Sequence, residues 1–461
     1  MSEPNVDPNP DPTDDATVDP SVDPVLGRYE PHSPDFASEA AVRTEMSRVF
    51  GVCGDCRRCI DLCDSFPTLF DLLDSLDDGD PGRLTPEQQD RVVAGCHHCK
   101  MCVVGCPYSP GRHDDAVHVP RLMLRAEAMH TAAGHRRGRH RLHSRVAGRV
   151  DRIGRVATSM PSVSNRLVRA PADSITRRVV RLFTGLSARR AIPRVASQRY
   201  SSFFGRRPKI RLRKRQAAVT ILPTCLVEYG QTTLGTDIVR VYERNGIECS
   251  VSGVGCCGAP SLHTGDLAGF RRAAHRNVRA LAAAVRRGTD IVVAQPTCSY
   301  VLRNETPEHV DESLRADAEL VAEHVYDPAG YLMSLHRTDT YVLDTDFVSS
   351  TPRKITYHAP SHLRAQSGAN ASRDLLRLTG ARVTVVARNS GVAGPWGLAA
   401  RHDDQANRLG DRLAERIQSA SGQIIAGDSL LANEVIHERT GDRPVHPIQV
   451  IARAYGIPSP G

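Results

Sequence analysis

Eight of the 13 cysteines in this 461-residue chain lie close together, in two copies of the spacing C-x2-C-x2-C-x3-C. The first copy runs from residue 53 to 63 and the second from residue 96 to 106. Three cysteines spaced by two residues can bind three irons of one [4Fe–4S] cubane, whereas the fourth cysteine ligates the cluster of the other motif. We therefore predict two clusters, the first held by Cys53, Cys56, Cys59 and Cys106 and the second by Cys96, Cys99, Cys102 and Cys63.

A pair of four-cysteine zinc sites is the alternative to iron–sulfur clusters. Structural zinc sites usually combine two C-x2-C pairs across a longer spacer, so two copies of the ferredoxin spacing favour iron. Asp64 replaces the proline that follows such a motif, and the 32 residues between the motifs favour a helical unit. Arg57, Arg58 and Lys100 lie between ligands, where they either offset the negative charge of the clusters or are solvated loop residues.

The remaining cysteines fall in the second half of the chain. Cys225, the adjacent Cys256 and Cys257 followed by Gly258, and Cys298 resemble the cysteine-rich module of heterodisulfide reductases, often called the CCG domain. The resemblance implies a third centre at these four cysteines, either a further iron–sulfur cluster or a simpler metal site.

This second half also contains an internal repeat. Short β-branched runs alternate with helical segments, a pattern typical of an α/β domain with a mostly parallel sheet. Four segments then recur in the same order: Ala217–Cys225 with Lys354–Ser361, Asn245–Val251 with Thr379–Val385, Cys256–Gly258 with Asn389–Gly391, and Asp290–Cys298 with Gln423–Ser429. We predict two duplicated α/β cysteine-rich (CCG-type) modules, at 217–340 and 354–461.

The modules depart from the family pattern in two ways. Val301 occupies the position of the usual fifth ligand in the first module, and Cys249 is expected to be a buried core thiol. The second module has lost every cysteine, mainly to serine, whose hydroxyl is a poor iron ligand because it stays protonated. His358 and His362 of this module could act in proton transfer or bind metal, or could be held by backbone partners.

The N-terminal part is expected to combine a disordered tail with a helical domain. Residues 1–35 hold eight prolines and nine acids against one arginine, too polar a composition to form a core. Residues 36–130 are predicted to form a helical ferredoxin-type domain with two [4Fe–4S] clusters, which makes the fold class α + α/β. Its helices are expected at 36–50, after Phe66-Pro67, from Thr85 and over Val119–Met129.

Residues 131–216 are predicted to form an Arg-rich helical linker. Although the net charge of the whole chain is only +8, residues 131–215 hold 24 Lys or Arg against two acids, Asp151 and Asp173. Apolar residues recur at helical spacing in two stripes: Leu142, Val146, Val150, Ile153, Val156 and Met160, and then Ile175, Val179, Leu182 and Leu186. Such helices either contact an anionic membrane or an acidic partner, or pack their apolar stripes on the α/β domains. Nucleic-acid binding is disfavoured, because the sequence contains no recognisable nucleic-acid-binding motif.

Over residues 40–130 and 217–461 the chain resembles the iron–sulfur subunits of two enzymes, heterodisulfide reductase (the subunit designated D) and anaerobic glycerol-3-phosphate dehydrogenase (the subunit designated C). The resemblance implies an iron–sulfur electron-transfer subunit of a redox complex, passing electrons through two cubanes to the Cys-Cys-Gly centre. The alternatives are a thiol–disulfide oxidoreductase acting at that centre and a redox-sensing binding protein, so whether the chain is itself an enzyme stays open.

The sequence also indicates the cellular setting and the type of partner. It shows neither a secretory leader nor an apolar run long enough to span a membrane, so we expect a cytoplasmic protein, peripheral to the inner membrane face if the linker binds there. Since the sequence contains no glycine-rich dinucleotide loop, a separate flavoprotein or ferredoxin is expected to donate the electrons.

Overall fold

The computed structural model describes residues 29–110, 113–134, 146, 148–190, 192–208, 212, 214–338, 341–348, 351–392, 394 and 396–458. Most of the predicted acidic tail therefore lies outside the described residues. Of that tail, residues 29–35 are described, and the ring of Tyr29 is buried against Phe36 and His309. The expectation of a disordered tail up to residue 35 is therefore wrong for Tyr29, which packs in the folded structure.

The N-terminal unit consists of helices around one apolar core. The helices are α1 (Glu39–Cys56), α2 (Ser65–Asp74), α3 (Pro86–Ala94) and α4 (Val119–Ala132), with 3-10 turns at Pro81–Arg83 and Met101–Val103. Helix α3 begins where the sequence predicts, because Thr85 and Gln88 form a capping box and Pro86 occupies the first helical position. Helix α1 continues past the expected end at residue 50, so its last turn carries Cys53 and Cys56.

Four short helices follow in the Arg-rich linker: α5 (Val150–Ser159), α6 (Pro161–Val168), α7 (Ile175–Thr184) and α8 (Tyr200–Arg206). Helix α5 packs through Gly154, since a side chain there would collide with the ring of Tyr229. The predicted apolar stripes are instead exposed at Ile153, Val156, Met160, Ile175, Val179 and Leu182. The alternative that these stripes pack on the α/β domains is therefore wrong for these six residues, and Leu142 lies outside the described residues.

The first α/β unit contains a parallel sheet with the strand order β2-β1-β3-β4. Its elements are β1 (Ala217–Leu222), α9 (Thr224–Tyr229), α10 (Thr232–Arg244), β2 (Ile247–Val251), α11 (Ala259–Leu262), α12 (Leu267–Arg286), β3 (Asp290–Val293), α13 (Pro296–Tyr300), a π turn (Val301–Glu305), α14 (Thr306–His309), α15 (Glu312–Glu323), β4 (Val325–Tyr326) and α16 (Pro328–His336). Consecutive residues of β1 and β3 are buried, as is typical of a parallel sheet with both faces covered.

The second α/β unit contains a smaller parallel sheet with the order β6-β5-β7. Its elements are β5 (Lys354–His358), α17 (Ser361–Arg364), α18 (Ala369–Leu378), β6 (Arg382–Val386), 3-10 turns at Trp396–Leu398 and Ala400–His402, α19 (Asp403–Ser419), β7 (Ile424–Gly427), α20 (Leu430–Thr440) and α21 (Pro447–Ala454). In both sheets the first strand lies between the second and the third.

The observed mixture of a helical unit and parallel α/β units agrees with the predicted α + α/β class. The ferredoxin-type character of the helical unit and the duplication of the α/β units stay predictions. The carboxyl ends of parallel strands meet at one edge of a sheet, which is where ligand sites of such folds form. None of the described helices combines the length and the apolar character needed to cross a bilayer.

Candidate functional site

The cysteines of the first predicted cluster lie close together. Cys53 and Cys56 are in the last turn of α1, Cys59 follows in the next turn, and Cys106 comes from the second motif. Burial raises the pKa of the Cys53 thiol, and the neighbouring thiolates of Cys59, Cys106 and Cys56 raise it further. Burial, followed by the charges of Cys106 and Cys56, likewise raises the pKa of Cys59 to about 12.

The other four cysteines form a second group. Burial raises the pKa of Cys63 well above its usual value, and the adjacent Cys96 and Cys99 add to that shift. Burial, followed by the charges of Cys99, Cys96 and Cys63, also raises the pKa of Cys102 well above its usual value. The larger interactions thus join three cysteines of one motif to the last cysteine of the other, and smaller ones join Cys59 to Cys99 and Cys102 of the second group.

The spacing of the sulfurs helps to distinguish a cluster from a single ion. Zinc–sulfur bonds of about 2.3 Å in a tetrahedral site would place the four sulfurs about 3.8 Å apart. Among the described residues, no three cysteine sulfurs lie within 4.8 Å of one another. The sulfurs of the two groups therefore do not have the close spacing that one tetrahedral zinc ion requires.

The basic residues between the ligands differ sharply in their surroundings. Lys100 has a left-handed backbone and a side chain that is 0% exposed, and its Nζ donates a hydrogen bond of 2.7 Å to Glu305 Oε1. Burial opposes ionisation of Glu305, but the charges of Lys100, His309 and Arg121 and the hydrogen bond from Lys100 together lower the pKa of this carboxyl to about 2. Arg57 and Arg58 are exposed. The solvated interpretation is therefore wrong for Lys100.

The four cysteines of the third predicted centre converge on one edge of the first sheet. Cys225 follows β1, the Cys256-Cys257 pair follows β2, and Cys298 lies in α13, which follows β3. Hydrogen bonds from the thiols of Cys225 and Cys257 lower the pKa of Cys256 well below its usual value. The thiol of Cys257 is also hydrogen-bonded to the thiol of Cys298. The four sulfurs thus form a connected chain. Cys249 is instead buried in the apolar core.

Serines lie at the edge of the second sheet where its strands end: Ser361 follows β5, Ser390 follows β6 and Ser429 follows β7. Ser429 accepts a hydrogen bond of 3.4 Å from Ala432 N at the start of α20 and another of 3.2 Å from Gln295 Nε2 of the first unit. His358 Nε2 lies 3.0 Å from the carbonyl oxygen of Arg388, a backbone partner. These polar groups stabilise the loops and the contact between the two units.

Three buried histidine rings stack between the helical unit and the two α/β units. The ring centre of His98 lies 4.8 Å from that of His263, which lies 6.4 Å from that of His362. In the part of the chain that the structure describes, both ring nitrogens of His98 and of His263 are buried without a hydrogen-bond partner. Sequence reasoning missed this stack, because its members come from distant segments and no spacing marks them.

Asp151 of α5 is a further residue for which the sequence predicted no role. Its Oδ2 accepts a hydrogen bond of 3.4 Å from Cys256 N, and Tyr229 donates one of 3.5 Å to its Oδ1. Burial raises the pKa of this carboxyl, and the nearby Cys256 raises it further. A signal was present in the sequence, since Asp151 is one of two acids in an otherwise basic stretch of 85 residues.

Comparison with known proteins bears on both the cysteine-rich unit and the whole chain. Residues 219–303 match the family model of CCG, a cysteine-rich domain, and this match includes all four cysteines of the third centre. The subunit designated C of the anaerobic glycerol-3-phosphate dehydrogenase of Escherichia coli K12 is 24% identical over 405 residues, covering 79% of this chain and 99% of that protein.

Two other relatives match shorter stretches. Lactate utilization protein A of Bacillus licheniformis is 23% identical over 214 residues, covering 45% of this chain and 86% of that protein. The subunit designated B of the fumarate reductase (CoM/CoB) of Methanothermobacter marburgensis is 27% identical over 147 residues, covering 31% of this chain and 25% of that protein. The resemblance predicted from the cysteine motifs is therefore confirmed.

Proposed function

From its likeness to the cysteine-rich iron–sulfur subunits of oxidoreductases, we propose that this chain is an electron-transfer subunit with two [4Fe–4S] clusters. Cys53, Cys56, Cys59 and Cys106 would hold one cluster, and Cys96, Cys99, Cys102 and Cys63 the other. Such clusters, when bound, accept and donate single electrons. The proposal is supported by the two repeats of the cysteine spacing and by the interactions of Cys106 with Cys53 and Cys59 and of Cys63 with Cys96 and Cys99.

The protein's own residues would prepare the surroundings for this chemistry. Lys100 supplies a buried positive charge beside the second set of cysteines, and Glu305 compensates that charge from the first α/β unit. The stack of His98, His263 and His362 excludes water from the same region and lies where the three units meet. Charge movement near the second cluster would therefore take place in a low-dielectric interior.

We further infer that Cys225, Cys256, Cys257 and Cys298 form the acceptor centre, as a metal site or a thiol site. The second α/β unit would be a duplicate that kept its fold and lost its ligands. Its identical order of the first three strands and its serines at the corresponding strand ends support this interpretation. A separate redox protein, a flavoprotein or a ferredoxin, would supply electrons, consistent with relatives that are named as subunits of a dehydrogenase and a reductase.

Iron analysis tests the proposal directly. We expect protein purified without oxygen to contain about eight irons for the two cubanes, with any iron at the third centre in addition, because each cubane holds four. The measurement is iron and acid-labile sulfide per chain, together with the low-temperature electron paramagnetic resonance spectrum of the reduced protein. An iron content near zero would contradict the proposed function, whereas Cys249→Ser, a change in the apolar core, should leave the iron content unchanged.

We also propose that the Arg-rich linker docks the subunit on an anionic membrane surface. Large apolar side chains are exposed on or beside α5, α6 and α7, namely Ile153, Val156, Met160, Val163, Leu167, Ile175, Val179, Leu182 and Phe183. Exposed arginines lie among them, including Arg166, Arg178 and Arg181. We call this surface the basic apolar face. Apolar side chains interspersed with arginines match the interface of an anionic bilayer.

Vesicle binding tests this docking. We expect the protein to sediment with phosphatidylglycerol vesicles and not with phosphatidylcholine vesicles, because the arginines require an anionic headgroup. Ile175→Glu/Val179→Glu should abolish sedimentation, since Ile175 is 81% exposed and both changes place charge on the basic apolar face. The matched control Val342→Glu/Val385→Glu, also at exposed valines, should bind normally. Equal loss in both variants would contradict docking through this face.

A further inference from the structure

A cleft of about 1000 Å³ opens between α5 of the linker and the first α/β unit. Its volume falls at the upper end of the range of small-molecule sites. Cys256, the cysteine at the centre of the connected chain of sulfurs, lies in its wall, next to Gly253 and Gly255. A side chain at Gly255 would meet Asp151 Oδ1 at 2.8 Å, so the wall brings α5 against the backbone beside the third centre.

The cleft is strongly basic. Six arginines line it, contributed by α5, by the segment before α8 and by α12: Arg149, Arg152, Arg155, Arg199, Arg272 and Arg276. Three carboxylates oppose them, so an excess of positive charge faces one concave surface. A charged cleft with low-dielectric walls concentrates ions of the opposite sign.

The carboxylates of the cleft already have partners on the backbone. Asp266 Oδ1 accepts a hydrogen bond of 2.9 Å from Gly269 N at the start of α12. Glu228 accepts one of 2.9 Å from Ser201 N and one of 2.6 Å from Ser201 Oγ. Asp151 accepts its bond from Cys256 N. The acids therefore position the walls of the cleft, and they neutralise the arginines only in part.

Several of the arginines lack such partners. Within the described residues, the side chains of Arg152, Arg199 and Arg272 form neither an ion pair nor a hydrogen bond. Arg276 approaches Asp151 at 4.0 Å. A guanidinium group binds carboxylate and phosphate oxygens through two parallel N–H donors. The unpaired arginines thus present a set of donors suited to an oxyanion.

We propose that this cleft binds a small organic anion carrying phosphate or carboxylate groups, held by Arg152, Arg272 and Arg276 against Cys256. This goes beyond the proposed electron transfer, because binding requires the walls of the cleft and not the clusters. The ligand is either a soluble metabolite or the headgroup of a phospholipid, since both carry the oxyanions that the arginines recognise. The proximity of Cys256 would place the bound anion beside the third centre.

Titration calorimetry on the full-length protein, purified without oxygen and with its iron content measured, tests the proposal. Pyrophosphate and citrate serve as soluble probes at low ionic strength, and phosphatidylglycerol vesicles serve as the lipid probe. We expect Arg152→Gln/Arg272→Gln to weaken binding about tenfold or more, because a charge-assisted hydrogen bond contributes more binding free energy than a neutral one. Arg412→Gln/Arg416→Gln removes the same charge on α19, outside both the cleft and the basic apolar face, and should bind the soluble probes like the native protein.

The outcomes are distinct. Binding of pyrophosphate or citrate that only the cleft variant loses supports a soluble ligand. Failure of both soluble probes, combined with vesicle binding that the cleft variant loses and the control keeps, supports a headgroup. Binding to no probe, or equal weakening in both variants, overturns the proposal. Because iron is counted in the same samples, failure of the cleft with about eight irons present is distinguishable from failure of the electron-transfer function.

Discussion

Replacing Cys53 and Cys106 together should remove about four irons from the protein, whereas replacing Cys53 and Cys63 together should remove about eight. The first pair lies in one group of thiols, although the two cysteines belong to different motifs, so only one cluster loses its ligands. The second pair lies in one motif but in two groups, since Cys63 adjoins Cys96 and Cys99. The two double variants therefore distinguish crossed ligation from ligation within each motif.

The variants Cys53→Ala/Cys106→Ala and Cys53→Ala/Cys63→Ala would be purified without oxygen and compared by iron content and by electron paramagnetic resonance. The native protein shows two interacting clusters if the proposal is correct, and the first variant should show one isolated cluster. Cys249→Ala controls for the loss of a buried thiol outside both groups. The reverse result, with eight irons lost from the first variant and four from the second, would exclude crossed ligation.

The elements that carry the predicted cysteines could be read from local patterns. Three of the four segments of the first repeat contain a strand that matches the sequence, at Ala217–Leu222, Ile247–Val251 and Asp290–Val293. Their signals are short β-branched runs followed by a turn, which depend on neighbouring residues only. The same holds for the capping box at Thr85. Ligand spacing is equally local, because a thiol can reach a cluster only from a few adjacent positions.

Burial of a charged loop residue could not be predicted in this way. Arg57 and Lys100 occupy comparable positions between ligands, and both have left-handed backbones. Arg57 remains exposed beside Asp74, whereas Lys100 is covered by Glu305, which lies in the π turn of another unit. Whether such a residue meets solvent or a carboxylate depends on how the units pack, and no periodicity in the sequence contains that information.

In the linker, the sequence predicted the helices but could not show which of their faces packs against the rest of the protein. Periodicity predicted amphipathic helices, and helices are present, but the face of α5 that packs contains Gly154 and Thr158 and not the larger apolar residues. Close approach of the Tyr229 ring requires a position without a side chain, so the smallest residue lies at the contact. The alternative in which the apolar stripe packs on the α/β domains is therefore wrong for α5, where Val156 is 60% exposed.

The buried pair of Lys100 and Glu305 gives the largest expected effect on stability. Lys100→Met should destabilise the protein by about 3–5 kcal/mol, because removal of one partner leaves the carboxylate of Glu305 in an apolar interior without its counter-charge. His309 and Arg121 also favour the ionised carboxylate of Glu305, but its Oε2 lacks a hydrogen-bond partner within the described residues. Lys100→Met/Glu305→Gln should recover most of the loss, since the double variant buries no charge at all.

An exposed ion pair of the same motif provides the control for this experiment. Arg57 pairs with Asp74, and their side chains are 45% and 56% exposed. Arg57→Met should leave the free energy of unfolding almost unchanged, because water replaces the lost partner. The measurement is the free energy of unfolding in urea of the iron-loaded native protein and of the three variants, all under identical conditions. If Lys100→Met cost no more than Arg57→Met, then Lys100 would not be desolvated, and the proposed contact between the helical unit and the first α/β unit would be wrong.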